Sequence, residues 1–331
     1  MTAILGAGMM GTAIAAAHLR CGLPVALCDS VPAALLNAKK YLNENKLITF
    51  SENLADALQC PVLIETITEK LKAKQKLYKN IVNVFTEEKP GRSRHVPLVF
   101  SNTSTISITS LAAGLPPDWQ RNFCGFHFFH PVRENPVIEI IAGKETAPET
   151  AEFAVQYARQ LNKQPICVGD GPGFLVNRIL NGYLSAALQL LEGGESVERI
   201  DNAAVHFGMR MGPFRIMDEI GLDVVFHSGW VLHKAFPDRV PQSQTLVRLV
   251  EQGRLGSKTG SGFRNNSEFQ ITNYESQLTE DEIVRRLTAP MFDEARRCVA
   301  DGIINSIAVA EFAMVNALGF PTRECMLSNF D

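Results

Sequence analysis

The 331-residue chain has no long apolar run, no dominant charge and no close pair of cysteines. Its longest apolar stretch, around Leu180 to Leu191, is interrupted by Asn181, Gly182, Ser185 and Gln189, so no membrane span is expected. Lys and Arg number 32 against 35 Asp and Glu, a formal net charge of −3. Such a balance builds no field for nucleic acid or anionic lipid. The seven cysteines are scattered, and none pairs at metal-ligand spacing. They read as reduced thiols of an intracellular protein. A strand pattern starts within a few residues of Met1, where a signal peptide would lie, so a cytoplasmic location is expected, with an organelle lumen left open.

In the first half, short β-branched runs alternate with helical patterns. Strands are expected at Ala3–Leu5, Val25–Cys28, Leu47–Phe50, Val62–Glu65 and Leu98–Phe100. Helices are expected between them, at Met9–Cys21, Pro32–Asn43, Leu54–Leu58 and Lys70–Phe85. Gly22 and Pro24 stop the first helix, while Ser30 with Pro32 opens the second. Strands alternating with helices imply βαβ units and a parallel sheet. Further strands are expected at Phe123–Phe129, Val137–Ile141 and Pro165–Val168. Beyond Phe174 only helical patterns remain, broken at Gly193-Gly194 and Gly208–Pro213, with a polar linker from Arg264 to Glu280.

The last segment reads as a partial repeat of the helical one. Ala186 to Gly193 is echoed by Ala295 to Gly302, and Phe207-Gly208 through Pro213 by Leu318-Gly319-Phe320-Pro321. Any two amphipathic helix pairs share some of this pattern.

Gly6-Ala7-Gly8-Met9-Met10-Gly11 matches G-x-G-x-x-G between an expected strand and an expected helix, the setting that gives the motif its weight. Gly6 suits the tight turn, Gly8 admits a pyrophosphate to the backbone, and Gly11 permits close helix packing. The helix N-terminus, with Met9 and Met10 in its first turn, offers N–H groups to phosphate. Asp29 ends the second strand, where a carboxylate accepts hydrogen bonds from ribose hydroxyls and repels a 2′-phosphate. These features predict a Rossmann domain that binds NAD. The expected architecture is an α/β Rossmann domain with a mostly parallel sheet (1–168), an all-helical C-terminal domain (169–266) and the partial second helical repeat (278–331).

His127 and Glu139 each stand alone in an apolar strand pattern. A buried ionisable group needs a partner. An imidazole held by a carboxylate is a general-base arrangement, in which the acid fixes the tautomer and stabilises the imidazolium. A satisfied core histidine and a structural ion pair account for the same two residues. His127 and His130 lie three apart on a strand and point to opposite faces, so no metal site is expected.

The ordered series of motifs resembles the 3-hydroxyacyl-CoA dehydrogenase family, in particular the dehydrogenase part of the multifunctional β-oxidation enzymes. The likeness is carried by the glycine loop, Ser101-Asn102-Thr103-Ser104, Gly125-Phe126-His127-Phe128-Phe129, Gly171-Pro172-Gly173-Phe174-Leu175-Val176-Asn177-Arg178, Met211-Gly212-Pro213-Phe214 and Lys258-Thr259-Gly260-Ser261-Gly262-Phe263. The resemblance implies His127 as catalytic base, Glu139 as the acid that orients it, and Ser104 and Asn177 as partners of the reacting substrate. It places Asp29, Glu69, Lys74, Ser104, His130 and Lys258 among the contacts to NAD. Without it, Ser104 reads as a helix cap, Asn177 as a solvent-facing residue, Glu69 and Lys74 as part of a solvated helix face, and Lys258 as a loop residue. The implied reaction is reversible oxidation of an L-3-hydroxyacyl-CoA to the 3-oxoacyl-CoA, with an acyl-CoA as small-molecule partner and either a homodimer or an internally paired monomer as assembly. His130 stands where the family usually carries Asn. The interval from Asp29 to Glu65 is shorter than the family's, which holds a helical hairpin there. A catalytically weak NAD-binding relative and a dehydrogenase of another small hydroxy acid are the alternatives.

Overall fold

The computed structural model describes residues 1–43, 45–87, 95–264 and 278–322. The chain divides into two compact units, 1–171 and 172–331. The linker expected from Arg264 to Glu280 falls mostly outside the described residues.

The first unit runs β1 (Thr2–Leu5), α1 (Met9–Arg20), β2 (Val25–Cys28), α2 (Pro32–Leu42), β3 (Ile48–Ser51), α3 (Leu54–Ala57), β4 (Val62–Glu65), α4 (Leu71–Glu87), β5 (Leu98–Ser101), α5 (Ile108–Ala112), α6 (Pro117–Arg121), β6 (Phe123–Phe128), β7 (Val137–Ala142), α7 (Pro148–Gln160) and β8 (Gln164–Gly169). The eight strands form one sheet in the order β3-β2-β1-β4-β5-β6-β7-β8. Every neighbouring pair is parallel except β6–β7, which is antiparallel. Parallel strands need covered faces, and the central ones accordingly read as unbroken apolar runs. One face of the sheet shows the alternation clearly: Ile4, Leu27, Ile64, Phe100, Cys124, Phe126, Phe128, Ile138 and Ile140 share a core with Ile14, Ala154 and Tyr157 from α1 and α7. By period two, Gly125, His127, Glu139 and Ile141 turn to the opposite face. Between β2 and β4 the described residues form α2, the edge strand β3 and the single turn α3, with no helical hairpin among them.

Local chemistry sets the helix ends, with one correction to the sequence reading. Pro32 is the first residue of α2, but its N-cap is Val31 and Ser30 makes no side-chain cap. The Val31 N–H donates instead to Asp29 Oδ1 at 2.9 Å. The helices α5, α6 and α7 lie in a stretch where the sequence reading bounds only strands, although it allows a helix after Ser104. Two are single turns of five residues, and α7 carries its apolar positions in a polar sequence.

The second unit is helical: α8 (Val176–Glu192), α9 (Val197–Phe207), α10 (Pro213–Ile220), α11 (Leu222–Ala235), α12 (Gln244–Glu251), α13 (Glu280–Ala300) and α14 (Ile307–Leu318). Two buried aspartates organise its glycine motifs. Asp201 accepts the N–H groups of Phe214 and Arg215 in the first turn of α10, and Asp218 accepts those of Phe263 and Arg264. A Cβ on Gly212 would stand 2.3 Å from Asp201 Cγ, and one on Gly262 would stand 2.0 Å from Asp218 Oδ1. Only glycine leaves room for either cap. Among the described residues, no helix is long and apolar enough to cross a membrane.

Candidate active site

The antiparallel register of β6 and β7 sets His127 directly opposite Glu139. Directly opposed residues of an antiparallel pair share a face and touch. His127 Nδ1 lies 2.7 Å from Glu139 Oε2, with the carboxylate fully buried and the imidazole 3% exposed. An ionised carboxylate only accepts, so Nδ1 carries the proton and Nε2 is left as the basic nitrogen. Ser104 Oγ meets that nitrogen at 3.0 Å and donates to it. The three residues form one hydrogen-bonded line inside the first unit. Gly125 makes room nearby, since a Cβ there would come within 2.8 Å of Ile141 and 2.9 Å of Ile108.

Ser104 lies on the turn between β5 and α5. It is not the cap of the following helix; Ser107 is, accepting the Ser110 N–H. Asp170 reinforces that cap, taking the Ser107 hydroxyl and the N–H groups of Ile108 and Thr109. Asn102 ties the turn to β6 by accepting the Phe128 N–H at 2.9 Å. Glu69 holds the turn from the other side. Its Oε1 accepts Thr103 Oγ1 (2.6 Å) and the N–H groups of Ser104 (2.9 Å) and Thr105 (3.0 Å). Burial pushes the Glu69 carboxyl up, but Lys74 and these donors outweigh it and hold it below the ordinary carboxylate value.

The glycine loop forms a cradle at the start of α1. Gly6 has φ +110°, open to glycine and strained for other residues. A Cβ on Gly11 would stand 1.8 Å from the Gly6 carbonyl oxygen, whereas one on Gly8 would meet nothing within 4 Å. Gly8 is the N-cap of α1, no side chain caps it, and Gly8 and Met9 are exposed while Met10 is half-buried. An open helix N-terminus with bare backbone beside it fits a dinucleotide phosphate. Asp29 is half-exposed at the end of β2 and also fastens the loop, with Oδ2 accepting the Ala7 N–H at 2.7 Å. Two acceptor positions of its carboxylate remain for a ribose. Thr66, which sequence reasoning passed over, donates to the Gly6 carbonyl at 2.9 Å and shapes the same loop.

The remaining candidates are more scattered. Lys74 is 1% exposed, so it is part of the interior and not of a solvated helix face. His130 is exposed, at the turn after β6. Asn177 is half-buried in the first turn of α8, and Lys258 forms an ion pair with Asp223; both belong to the second unit. Among the described residues, no cluster of three His, Cys, Asp or Glu side chains is arranged to hold a metal.

Comparison with known proteins settles the family. The NAD-binding domain model of 3-hydroxyacyl-CoA dehydrogenase matches residues 1–171, and the C-terminal domain model of the same enzymes matches residues 173–266. The chain belongs to the 3-hydroxyacyl-CoA dehydrogenase family. As a member it is an NAD-dependent oxidoreductase, and its first unit is the NAD-binding domain. Among solved structures it is similar to (S)-3-hydroxybutyryl-CoA dehydrogenase from Ralstonia eutropha, at 33% identity and TM-score 0.69, over 79% of this chain and 97% of that one. M. tuberculosis FadB2 matches at 27% identity and TM-score 0.73, over 80% of this chain and 98% of that one. The dehydrogenase part of multifunctional enzyme 1 from C. elegans shares the fold at 23% identity and TM-score 0.65, over 96% of this dehydrogenase and 78% of that chain.

Proposed function

We propose that this dehydrogenase interconverts an L-3-hydroxyacyl-CoA and the 3-oxoacyl-CoA, in the manner of fatty-acid β-oxidation. The observation that carries the reading is the line Ser104–His127–Glu139, with separations of 3.0 and 2.7 Å. NAD, when bound, supplies the hydride acceptor. The protein supplies the proton acceptor. His127 Nε2 takes the proton of the substrate hydroxyl as the carbonyl forms, and returns it in the reverse direction. Glu139, on the far nitrogen, keeps the ring in the competent tautomer and faces the positive charge that the ring acquires. Ser104 Oγ, beside Nε2, hydrogen-bonds the oxygen that gains carbonyl character, and the family pattern implies a substrate role for Asn177. The glycine cradle, Asp29, Lys258 and His130 are assigned to the cofactor on that pattern, with Asp29 selecting NAD over its 2′-phosphorylated form.

A dehydrogenase of a smaller hydroxy acid is the second reading. It is favoured by the short path from β2 to β4, whose described residues lack the hairpin expected over an acyl-CoA. The base is tested separately from the substrate. His127→Gln is expected to lower kcat by about 1,000-fold or more while NADH still binds. A variant with near-parent turnover would remove His127 from the mechanism.

A further inference from the structure

Lys163, the residue before β8, is buried at 8% exposure. A buried lysine ordinarily pairs with an acid. Among the described residues, no carboxylate lies within ion-pair distance of this one. Its ammonium donates instead to two backbone carbonyls, that of Asn135 at 2.6 Å and that of Val132. Burial and the charge of Arg20 pull its pKa below the ordinary lysine value, the mark of a charge placed at a cost. An apolar side chain would fill the same space without that cost.

Both carbonyls belong to the connection from β6 to β7, Phe129-His130-Pro131-Val132-Arg133-Glu134-Asn135-Pro136. The connection has no glycine for a tight turn, and its two prolines have no N–H to give. It closes on the Pro131 carbonyl, which accepts the N–H groups of Glu134 and Asn135 at 3.0 Å each. Val132 drops into the core beside Phe126 and Phe128, and Asn135 is 6% exposed, so their carbonyls lie where a donor must be supplied. Lys163 supplies it for both. The connection also begins the contacts of the base: the ring of Phe129 stands edge-on to that of His127, with centroids 4.5 Å apart. The last rung of β6 and β7 before it pairs Phe128 with Ile138, and the next pairs His127 with Glu139.

We propose that Lys163 is a positioning residue for the His127–Glu139 pair, acting through the carbonyls of the β6–β7 connection and the Phe129 ring. Without its ammonium, two buried carbonyls lose their donor, and the connection gains by turning them toward water. That movement carries Phe129 off the imidazole and loosens the rung on which the carboxylate meets Nδ1. A displacement of under an ångström at such a pair is enough to slow proton transfer. The kinetic part of the proposal rests on the dehydrogenase reading; its geometric part does not.

The experiment compares Lys163→Met, which keeps the length and removes the donors, with Glu139→Gln and the double variant. In Lys163→Met kcat is expected to fall by about 30-fold, while the NADH dissociation constant stays within about threefold of the parent. The double variant is expected to match Glu139→Gln to within about threefold, because both changes act on one contact. The Nδ1 proton of His127, followed by 1H–15N NMR with labelled histidine, should move in Lys163→Met from its position in the parent. A resonance at the parent position, with kcat within about threefold and only the melting temperature lowered, would make Lys163 a residue of stability alone and overturn the proposal. So would losses that multiply in full. If Lys163→Met does not fold, Lys163→Gln, whose amide still donates to one carbonyl, is judged by the same resonance and the same kcat. A parent enzyme without turnover on any 3-oxoacyl-CoA defeats the dehydrogenase reading, and the His127 resonance still decides the positioning role.

Discussion

His127 and His18 lie in the same unit, both buried, and differ in what faces their ring nitrogens. His127 has a carboxylate on one side and a hydroxyl on the other. His18 donates from Nδ1 to the Ile14 carbonyl at 2.8 Å and accepts the Tyr157 hydroxyl on Nε2 at 2.8 Å; Tyr157 in turn meets Thr2. Burial pulls the His18 pKa down to about 4, partly offset by the Ile14 carbonyl. Above pH 6.5 the ring is neutral in folded and unfolded chains alike, so it has no effect on stability there. Below that value the unfolded chain takes a proton that the folded chain refuses until about pH 4. Stability is therefore lost across that window, by about 3 kcal/mol in all. His18→Gln is expected to flatten this part of the pH–stability curve in urea titrations. A curve parallel to the parent's between pH 6.5 and 4 would contradict it. Both His127 and Glu139 were legible in the sequence because an ionisable residue in an apolar strand demands a partner. Glu65 carries the same signal at the end of Val62-Leu63-Ile64 and was passed over. Lys74 was not legible as an interior residue, since a lysine among Lys70, Lys72 and Lys76 reads as part of a solvated helix face.

The elements supply what the residues need. All eight strands were legible to within about two residues, because β-branched runs punctuated by glycine and proline leave little choice. The antiparallel turn from β6 to β7 was not, and it is what brings His127 opposite Glu139. Pairing direction depends on the connection, and a strand pattern alone carries no such information. In the second unit, Arg178 of α8 is buried and binds Glu294 at 2.6 Å and Asp301 at 2.6 Å at the end of α13, with the ring of Phe236 4.6 Å away. The two carboxylate contacts join residues more than a hundred positions apart, beyond the reach of any local pattern. Arg178→Met is expected to leave Glu294 and Asp301 with only their more exposed partners Arg297 (3.5 Å) and Arg239 (3.0 Å), and to destabilise the fold by about 2 kcal/mol or more in denaturant unfolding. A loss below about 1 kcal/mol, the size of an exposed pair, would contradict that role.

At the scale of the molecule, the two helix pairs of the second unit correspond in order and in their endings. The pair α8–α9 closes on Gly208, and α13–α14 on Gly319, both left-handed. Their packing is reciprocal: α13 lies along α8 and α9, and α14 returns to α8. Gly208 abuts Pro321, and Gly319 abuts Arg210. The R. eutropha and M. tuberculosis structures are matched almost in full by about four-fifths of this chain, so about a fifth has no counterpart in them. A second pair packed reciprocally on the first resembles a two-fold contact made within one chain. Light scattering after gel filtration is expected to find a monomer of 36.4 kDa. A dimer at micromolar concentration would favour association between chains.

The central claim is tested most directly by following NADH oxidation with acetoacetyl-CoA, using free acetoacetate as the control. The account predicts steady turnover with the thioester and little with the free acid. Turnover of the free acid alone, or none with either in protein that binds NADH, would contradict a 3-hydroxyacyl-CoA substrate.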